Sequence, residues 1–141
     1  QYIVFDGPGS LELTNNSVLF DNDSDSSQFL QAGGSLSDPI TVTVRNNIIA
    51  GFRNPFNLRG SAVTLSSEDN IFTGLAGSDP DFSLGSDTYT TLAGWQSNPG
   101  GYDQNSVYVD PGFVDPVNDN FITTAPEVDT LEAGVEYYVA T

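Results

Sequence analysis

The amino-acid sequence predicts an all-β fold in which short parallel strands stack on one another as the coils of a solenoid. The main observation is a pattern that occurs three times. An apolar stretch, a polar bend with asparagine and a second apolar stretch recur at 11–20, 42–49 and 63–72. Asn16, Asn47 and Asn70 begin the second stretch of each copy, 31 and 23 residues apart. A unit of this length cannot bury its own apolar face, so it must stack on copies of itself.

Two further observations favour parallel strands over helices or hairpins. Apolar residues come in short, near-continuous runs such as 2–5, which are typical of parallel strands. Asn-Gly and Asp-Gly pairs are missing where two-residue hairpins would need them. The 14 glycines and 8 prolines favour turns. No window has a sustained apolar period of 3.6 residues, so almost no helix is expected beyond one short turn at 91–96.

Taken in chain order, the apolar runs between turn residues predict the successive strands. After 2–5, the runs are 11–13, 17–20, 29–30, 40–44, 48–49, 56–58, 63–65, 71–72, 107–109 and 121–122. We expect one domain with a continuous core, with β-helix coils in 1–78 and a terminal coil and C-terminal capping region in 79–141. The last run, 135–139, alternates in polarity and has no turn after it, so it could be an edge strand that pairs with another chain.

Composition limits the classes of partner. The net charge is −16, from 19 acidic residues and three arginines, with no lysine and no histidine. Nucleic acid and anionic membrane surfaces are therefore poor partners, because their binding depends on basic side chains. The main role expected for this acidity is to keep the protein soluble. As partners, metal cations or cationic surfaces are better candidates than nucleic acid or anionic membranes. The absence of cysteine excludes disulfides, thiolate catalysis and cysteine-based zinc sites.

The composition also indicates where the protein is located. Cysteine-free, lysine-free chains rich in Asn, Asp and Ser are typical of exported bacterial surface proteins, which predicts a secreted or cell-surface location. No apolar run is long enough for membrane insertion, and no signal peptide precedes the first strand. Because Gln1 is not an initiator residue, we interpret the chain as a mature or excised piece.

The tail of the sequence carries a family likeness. It contains a Leu-x-x-Trp element at 92–95, a Gly-x-Asp-x-Asn-Ser turn at 101–106 and an Asp-Pro-x-Phe-Val-Asp-Pro strand at 110–116. Together with the repeated asparagine pattern, these motifs resemble the right-handed parallel β-helix family of pectate-lyase-like repeat proteins, over roughly residues 11 to 122. One departure is the segment 124–129, where family members usually continue with a Gly-Ser-Pro-Ala-like sequence.

The resemblance implies a right-handed parallel β-helix of about four to five coils with an irregular C-terminal cap. It also implies that the bend asparagines adopt the left-handed conformation, which asparagine tolerates well, and hydrogen-bond along the solenoid. Asn16, Asn47 and Asn70 are the candidates for this structural ladder. Such a chain is either the end of a longer solenoid or a short solenoid that associates with itself.

The sequence supports ligand sites less well than it supports the asparagine ladder. Asp21, Asp23 and Asp25 alternate like the first half of a calcium loop, but Ser26 and Ala32 replace the glycine and acid of an EF-hand. No cofactor is required, and Ca²⁺ is conceivable beside the alternative of a solvated acidic loop. Four aromatic residues could stack on a sugar or close the open end of the core, the second being favoured: Tyr89, Trp95, Tyr102 and Tyr108.

Catalysis has little support in the residue inventory. The only bases for a lyase mechanism are Arg45, Arg53 and Arg59, which we interpret as surface partners of nearby carboxylates. A glycosidase needs two facing carboxylates, and Asp79 with Asp81 is the best pair, although a turn around Pro80 explains them better.

The expected function is therefore a non-catalytic extracellular β-solenoid module with a structural or adhesive role. It could assemble end to end into a filament through strand-prone segments, whose residues are Tyr2, Ile3, Val4, Phe5, Val135, Tyr137 and Val139. The alternatives are the C-terminal part of a secreted polysaccharide lyase or glycoside hydrolase, and a carbohydrate-binding module.

Overall fold

The computed structural model describes residues 3–20, 27–33, 39–60, 62–74, 79–115, 120 and 122–127. It is mostly β with parallel sheets, which confirms the predicted all-β class. The strands are β1 (Ile3–Phe5), β2 (Gly9–Thr14), β3 (Ser17–Leu19), β4 (Gln28–Ala32), β5 (Ile40–Arg45), β6 (Ile48–Ala50), β7 (Asn54–Leu58), β8 (Val63–Glu68), β9 (Ile71–Thr73), β10 (Phe82–Leu84), β11 (Asp87–Tyr89) and β12 (Val107–Tyr108). The helix α1 spans Leu92–Gln96, as the sequence predicted for this segment.

Successive strands visit three sheets in rotation. The orders are β1-β4-β7-β10-β11 in sheet A, β2-β5-β8 in sheet B and β12-β9-β6-β3 in sheet C. From β1 to β7, each strand therefore pairs in parallel with the strand three places later in the chain. Parallel strands need such a crossover, because a tight turn can join only antiparallel neighbours.

The pairing register aligns the apolar positions of successive coils. In sheet A, Ile3 pairs with Leu30, Leu30 with Phe56, and Phe56 with Phe82. Because side chains alternate across a strand, this register sends one row inward from every coil. Leu30, Phe56 and Phe82 are completely buried, whereas Ile3 in the first coil is only half-buried.

Left-handed residues form the corner between sheets B and C. Asn15, Asn46 and Asp69 each have a φ of 56° and lie directly before the three repeated asparagines. The bend residue is thus the one before Asn16, Asn47 or Asn70, which differs from the expected left-handed conformation of the ladder asparagines themselves. Asparagine and aspartate tolerate this conformation because their short polar side chains bond locally.

One large apolar cluster fills the space between the sheets. Its buried members run from Phe29 to Trp95 and so lie on both sides of residue 78. Phe56, Phe72 and Phe82 meet edge to face within it, the preferred arrangement for aromatic rings. A second, smaller cluster lies around Ile48 and Ile71 and is packed by four residues of the tail: Val107, Val109, Phe113 and Ala125.

Two elements differ from the sequence-based expectation. Strands β10 and β11 form an antiparallel hairpin closed by Gly85 and Ser86. The sequence predicted no hairpin here, because the segment has no Asn-Gly or Asp-Gly pair. Gly85 has a φ of 62°, so glycine supplies the positive φ that a two-residue turn requires. Near the predicted run 121–122, the described residues contain a single antiparallel bridge between Asp115 and Asn120. The predicted run 135–139 lies outside the described residues.

Candidate functional site

Three asparagines in the middle of the molecule form a continuous hydrogen-bonded ladder. Asn16 donates its backbone N–H and its Nδ2 to Asn47 Oδ1, at 3.0 and 2.9 Å. Asn47 repeats both bonds to Asn70 Oδ1, at 3.0 and 3.1 Å. Asn47 Nδ2 also donates to the carbonyls of Leu13 and Arg45. The ladder therefore joins three coils through identical steps, and every step points its donors toward the C-terminal end.

The ladder ends on the Gly-x-Asp-x-Asn-Ser segment of the tail. The backbone N–H of Asn70 donates to Ser106 Oγ at 2.8 Å, and Asn70 Nδ2 donates to Asp103 Oδ1 at 2.9 Å. Ser106 Oγ in turn donates to Asp103 Oδ1 at 2.6 Å. A carboxylate accepts hydrogen bonds and donates none, so it is a natural terminus for a ladder in which each asparagine donates to the Oδ1 of the next.

Asp103 links this ladder to the aromatic residues of the tail. It is completely buried, and its Oδ2 accepts from Trp95 Nε1 at 2.8 Å. The backbone N–H of Asp103 donates to the carbonyl of Ser67, and the backbone carbonyl of Asp103 accepts from Gln96 Nε2. Burial raises the pKa of the Asp103 carboxyl above its usual range, against the opposing effect of its hydrogen bonds from Ser106, Asn70 and Trp95.

The raised pKa of Asp103 predicts a specific dependence of stability on pH. Between the unfolded pKa, about 3.9, and the raised folded pKa, the folded state binds more protons than the unfolded state. The stabilisation from this group is therefore fully present below the unfolded pKa and is lost as pH rises through the folded pKa. The stability of the native protein relative to Asp103→Asn should fall across that window.

The measurement is a series of urea denaturations of both proteins from pH 3 to pH 8. In Asp103→Asn, the side-chain NH₂ group faces donors such as Trp95 Nε1. This lowers the free energy of unfolding by the same amount at every pH, because the amide does not titrate. The other carboxyl groups are common to both proteins, so the difference between them isolates Asp103. A difference that stays flat or grows with pH would contradict the raised pKa.

Of the four aromatic candidates, Trp95 is buried, Tyr89 and Tyr102 are half-buried against it, and Tyr108 is exposed. The Trp95 ring stacks between Phe82 and Tyr102, with centroid distances of 5.2 and 5.1 Å, and Tyr89 meets its edge at 5.6 Å. Because Trp95 is completely buried, neither face of its ring is open to a sugar. Tyr108 lies on β12 and is 43% exposed. Tyr89, Trp95 and Tyr102 therefore cover the core at its C-terminal end.

The three arginines and Asp81, one of the two proposed catalytic carboxylates, make ordinary polar contacts. Arg53 Nε bonds Asp81 Oδ2 at 3.0 Å, while Asp79 is exposed. Arg45 donates to Ser66 Oγ and Arg59 to Asn57 Oδ1. These contacts hold the outer faces of the sheets together and bring no base to face a second carboxylate.

The remaining predicted sites are tested only in part. Asp21, Asp23 and Asp25 lie outside the described residues, and within the described ranges no group of three or more acidic side chains could hold a metal ion. Of the proposed inter-subunit segments, Ile3, Val4 and Phe5 form β1, an edge strand of sheet A. The others are likewise outside the described part of the chain: Tyr2, Val135, Tyr137 and Val139.

Sequence reasoning missed Asp103 and Ser106 as members of the ladder. The signal was their spacing of three residues in the tail motif, which we interpreted only as a turn. An aspartate that bonds a serine three residues later is a common local turn, and nothing in the local sequence shows that both side chains face Asn70. In the part of the chain that the structure describes, no buried side-chain nitrogen or oxygen lacks a partner.

Comparisons of the chain with protein-family models, with curated proteins and with solved structures found no match. The described residues include no helix of the length and apolar character needed to cross a membrane.

Proposed function

We propose that this chain is a right-handed parallel β-helix that serves as a non-catalytic structural module outside the cell. The rotation of strands through three parallel sheets supports the β-helix, since a solenoid requires that order. Connections between parallel strands of one sheet are right-handed in nearly all proteins, which supports the handedness. The acidic, cysteine-free composition supports an exported location.

The observation that carries the structural role is the complete use of buried polar groups in the ladder. The side chains of four buried residues form hydrogen bonds to another coil or to the tail segment that closes the core: Asn47, Asn70, Asp103 and Ser106. A catalytic site instead keeps charged groups poised toward a cleft. Among the described residues, the carboxyl whose pKa departs from its usual range is that of Asp103, which is completely buried and hydrogen-bonded to Trp95 rather than open to a cleft.

The test is a comparison of activity, binding and mechanical stability on the same preparation. We expect no product from acidic or neutral polysaccharides, with and without Ca²⁺, and no saturable signal on a glycan array. In force spectroscopy the chain should resist extension more than its Asn47→Ala variant, because coils joined by the ladder must separate together. Release of oligosaccharides would support a lyase or glycosidase, and saturable glycan binding would support a carbohydrate-binding module. Either result would overturn the structural role.

A further inference from the structure

The two ends of the coil stack differ in how they are closed. At the C-terminal end, Leu65, Phe72 and Phe82 are buried beneath the aromatic residues of the tail. At the other end, Leu11, Leu13 and Val18 are only half-buried. Their partners one coil further in are Val42, Val44 and Ile49, all completely buried. Among the described residues, none covers the N-terminal end in the way that the aromatic residues of the tail cover the C-terminal end.

The strand inventory shows what is missing at this end. Strand β1 extends sheet A by one strand beyond β4, whereas β2 and β3 are the edge strands of sheets B and C. Within the described residues, β1 is thus the last third of a coil whose strands in sheets B and C are not represented. A further parallel strand beside each would extend sheets B and C at this end, as β1 extends sheet A.

The asparagine ladder defines the chemistry of the occupant. Each Oδ1 further along the ladder accepts a backbone N–H and an Nδ2 from the preceding coil. Asn16 is exposed, and among the described residues no donor to its Oδ1 is found. A segment that continues the ladder must therefore bring an asparagine whose N–H and amide both point at Asn16.

We infer that the N-terminal end of the stack binds one further β-segment, consisting of two strands parallel to β2 and β3 with an asparagine at the bend between them. A second copy of this chain fits less well. Its C-terminal end carries the ladder's terminal acceptor, Asp103, and its N-terminal end carries another acceptor at Asn16. Among the described residues, neither end offers the backbone N–H and the side-chain amide that would both donate to Asn16 Oδ1. This inference rests on the proposed β-helix and names the kind of partner that its open end takes.

The register allows a direct test by extension of the full chain. Ile3 pairs with Leu30 and Leu30 with Phe56, so β1 is the equivalent of β7 in an earlier coil. A copy of residues 40–53 placed before Gln1 therefore supplies strands equivalent to β5 and β6, with the copied Asn47 at the bend. We expect the extension to raise Tm by about 5 °C or more, with the protein monomeric in sedimentation.

Two matched controls separate the gain in Tm that comes from the ladder hydrogen bonds from the gain that comes from burial of apolar surface. A scrambled extension of the same composition should leave Tm unchanged. Asn16→Ala in the extended protein should remove a large part of the gain and speed hydrogen exchange at the copied asparagine's amide by about tenfold, because a buried-type hydrogen bond is lost. Equal Tm values for the copied and scrambled extensions, or a concentration-dependent dimer of the unextended chain, would overturn the inference.

Hydrogen exchange in the unextended chain distinguishes this failure from failure of the β-helix itself. The backbone N–H groups of Asn47 and Asn70 should be strongly protected if the coils stack as proposed. Protected amides with an ineffective extension would contradict only the docking surface. Freely exchanging amides would contradict the coil stack, and with it the proposed module.

Discussion

Trp95→Ala should lower the free energy of unfolding by about 4 kcal/mol, in the usual range for loss of a buried large aromatic side chain. Trp95 is completely buried and packs against aromatic rings on both faces and on its edge. Alanine would leave a cavity at the C-terminal end of the core. It would also remove the donor to Asp103 Oδ2, leaving a buried acceptor with one bond fewer.

Two further variants separate these effects. Trp95→Phe keeps an aromatic ring in the cap but removes Nε1, so it should cost about 1–3 kcal/mol, the penalty of an unmet buried polar group. Val114→Ala, at a side chain that is 56% exposed, should change stability by less than about 0.5 kcal/mol. The measurement is urea denaturation at neutral pH. If Trp95→Ala cost no more than Val114→Ala, the aromatic residues would not form a cap.

The parallel β architecture could be predicted because its cause is local and repeated. Each coil carries apolar residues at equivalent positions, and the bend between sheets B and C is Asn-Asn in two copies and Asp-Asn in the third. The relative placement of Asn16, Asn47 and Asn70 follows from that repetition, since equivalent positions of stacked coils lie above one another. Even so, the left-handed residue lies one position earlier, because sequence alone does not fix which of two polar neighbours bends.

The end of the ladder could not be predicted in this way, because it depends on contacts between unlike segments. Asp103 is 33 residues from Asn70 and belongs to no copy of the repeat. Its burial needs donors from the bend after β8, from α1 and from the turn at 101–106 at the same time. A lone aspartate in an acidic chain is otherwise expected at the surface, where nearly all of its type lie. The hairpin of β10 and β11 was missed for a simpler reason: the prediction rested on Asn-Gly and Asp-Gly pairs, whereas Gly-Ser, the turn found here, is also a two-residue hairpin turn.

Asn47→Ala should lower the free energy of unfolding by about 3 kcal/mol, because several buried groups lose partners together. Asn47 is completely buried in the middle step of the ladder. Without its side chain, the backbone N–H of Asn16 loses its acceptor, and the carbonyls of Leu13 and Arg45 lose a donor. Asn70 Oδ1 keeps only the backbone N–H of residue 47. Urea denaturation would measure the loss.

The position within the ladder supplies the control. Asn16→Ala makes the same chemical change at an exposed step, where water can replace the lost bonds, so it should cost less than about 1 kcal/mol. Asn47→Asp keeps the size and the acceptor but replaces the donor with an unpaired buried charge, and should be at least as destabilising as alanine at neutral pH. Equal losses for Asn16→Ala and Asn47→Ala would mean that stacking of apolar rows, rather than the buried hydrogen bonds, holds adjacent coils together.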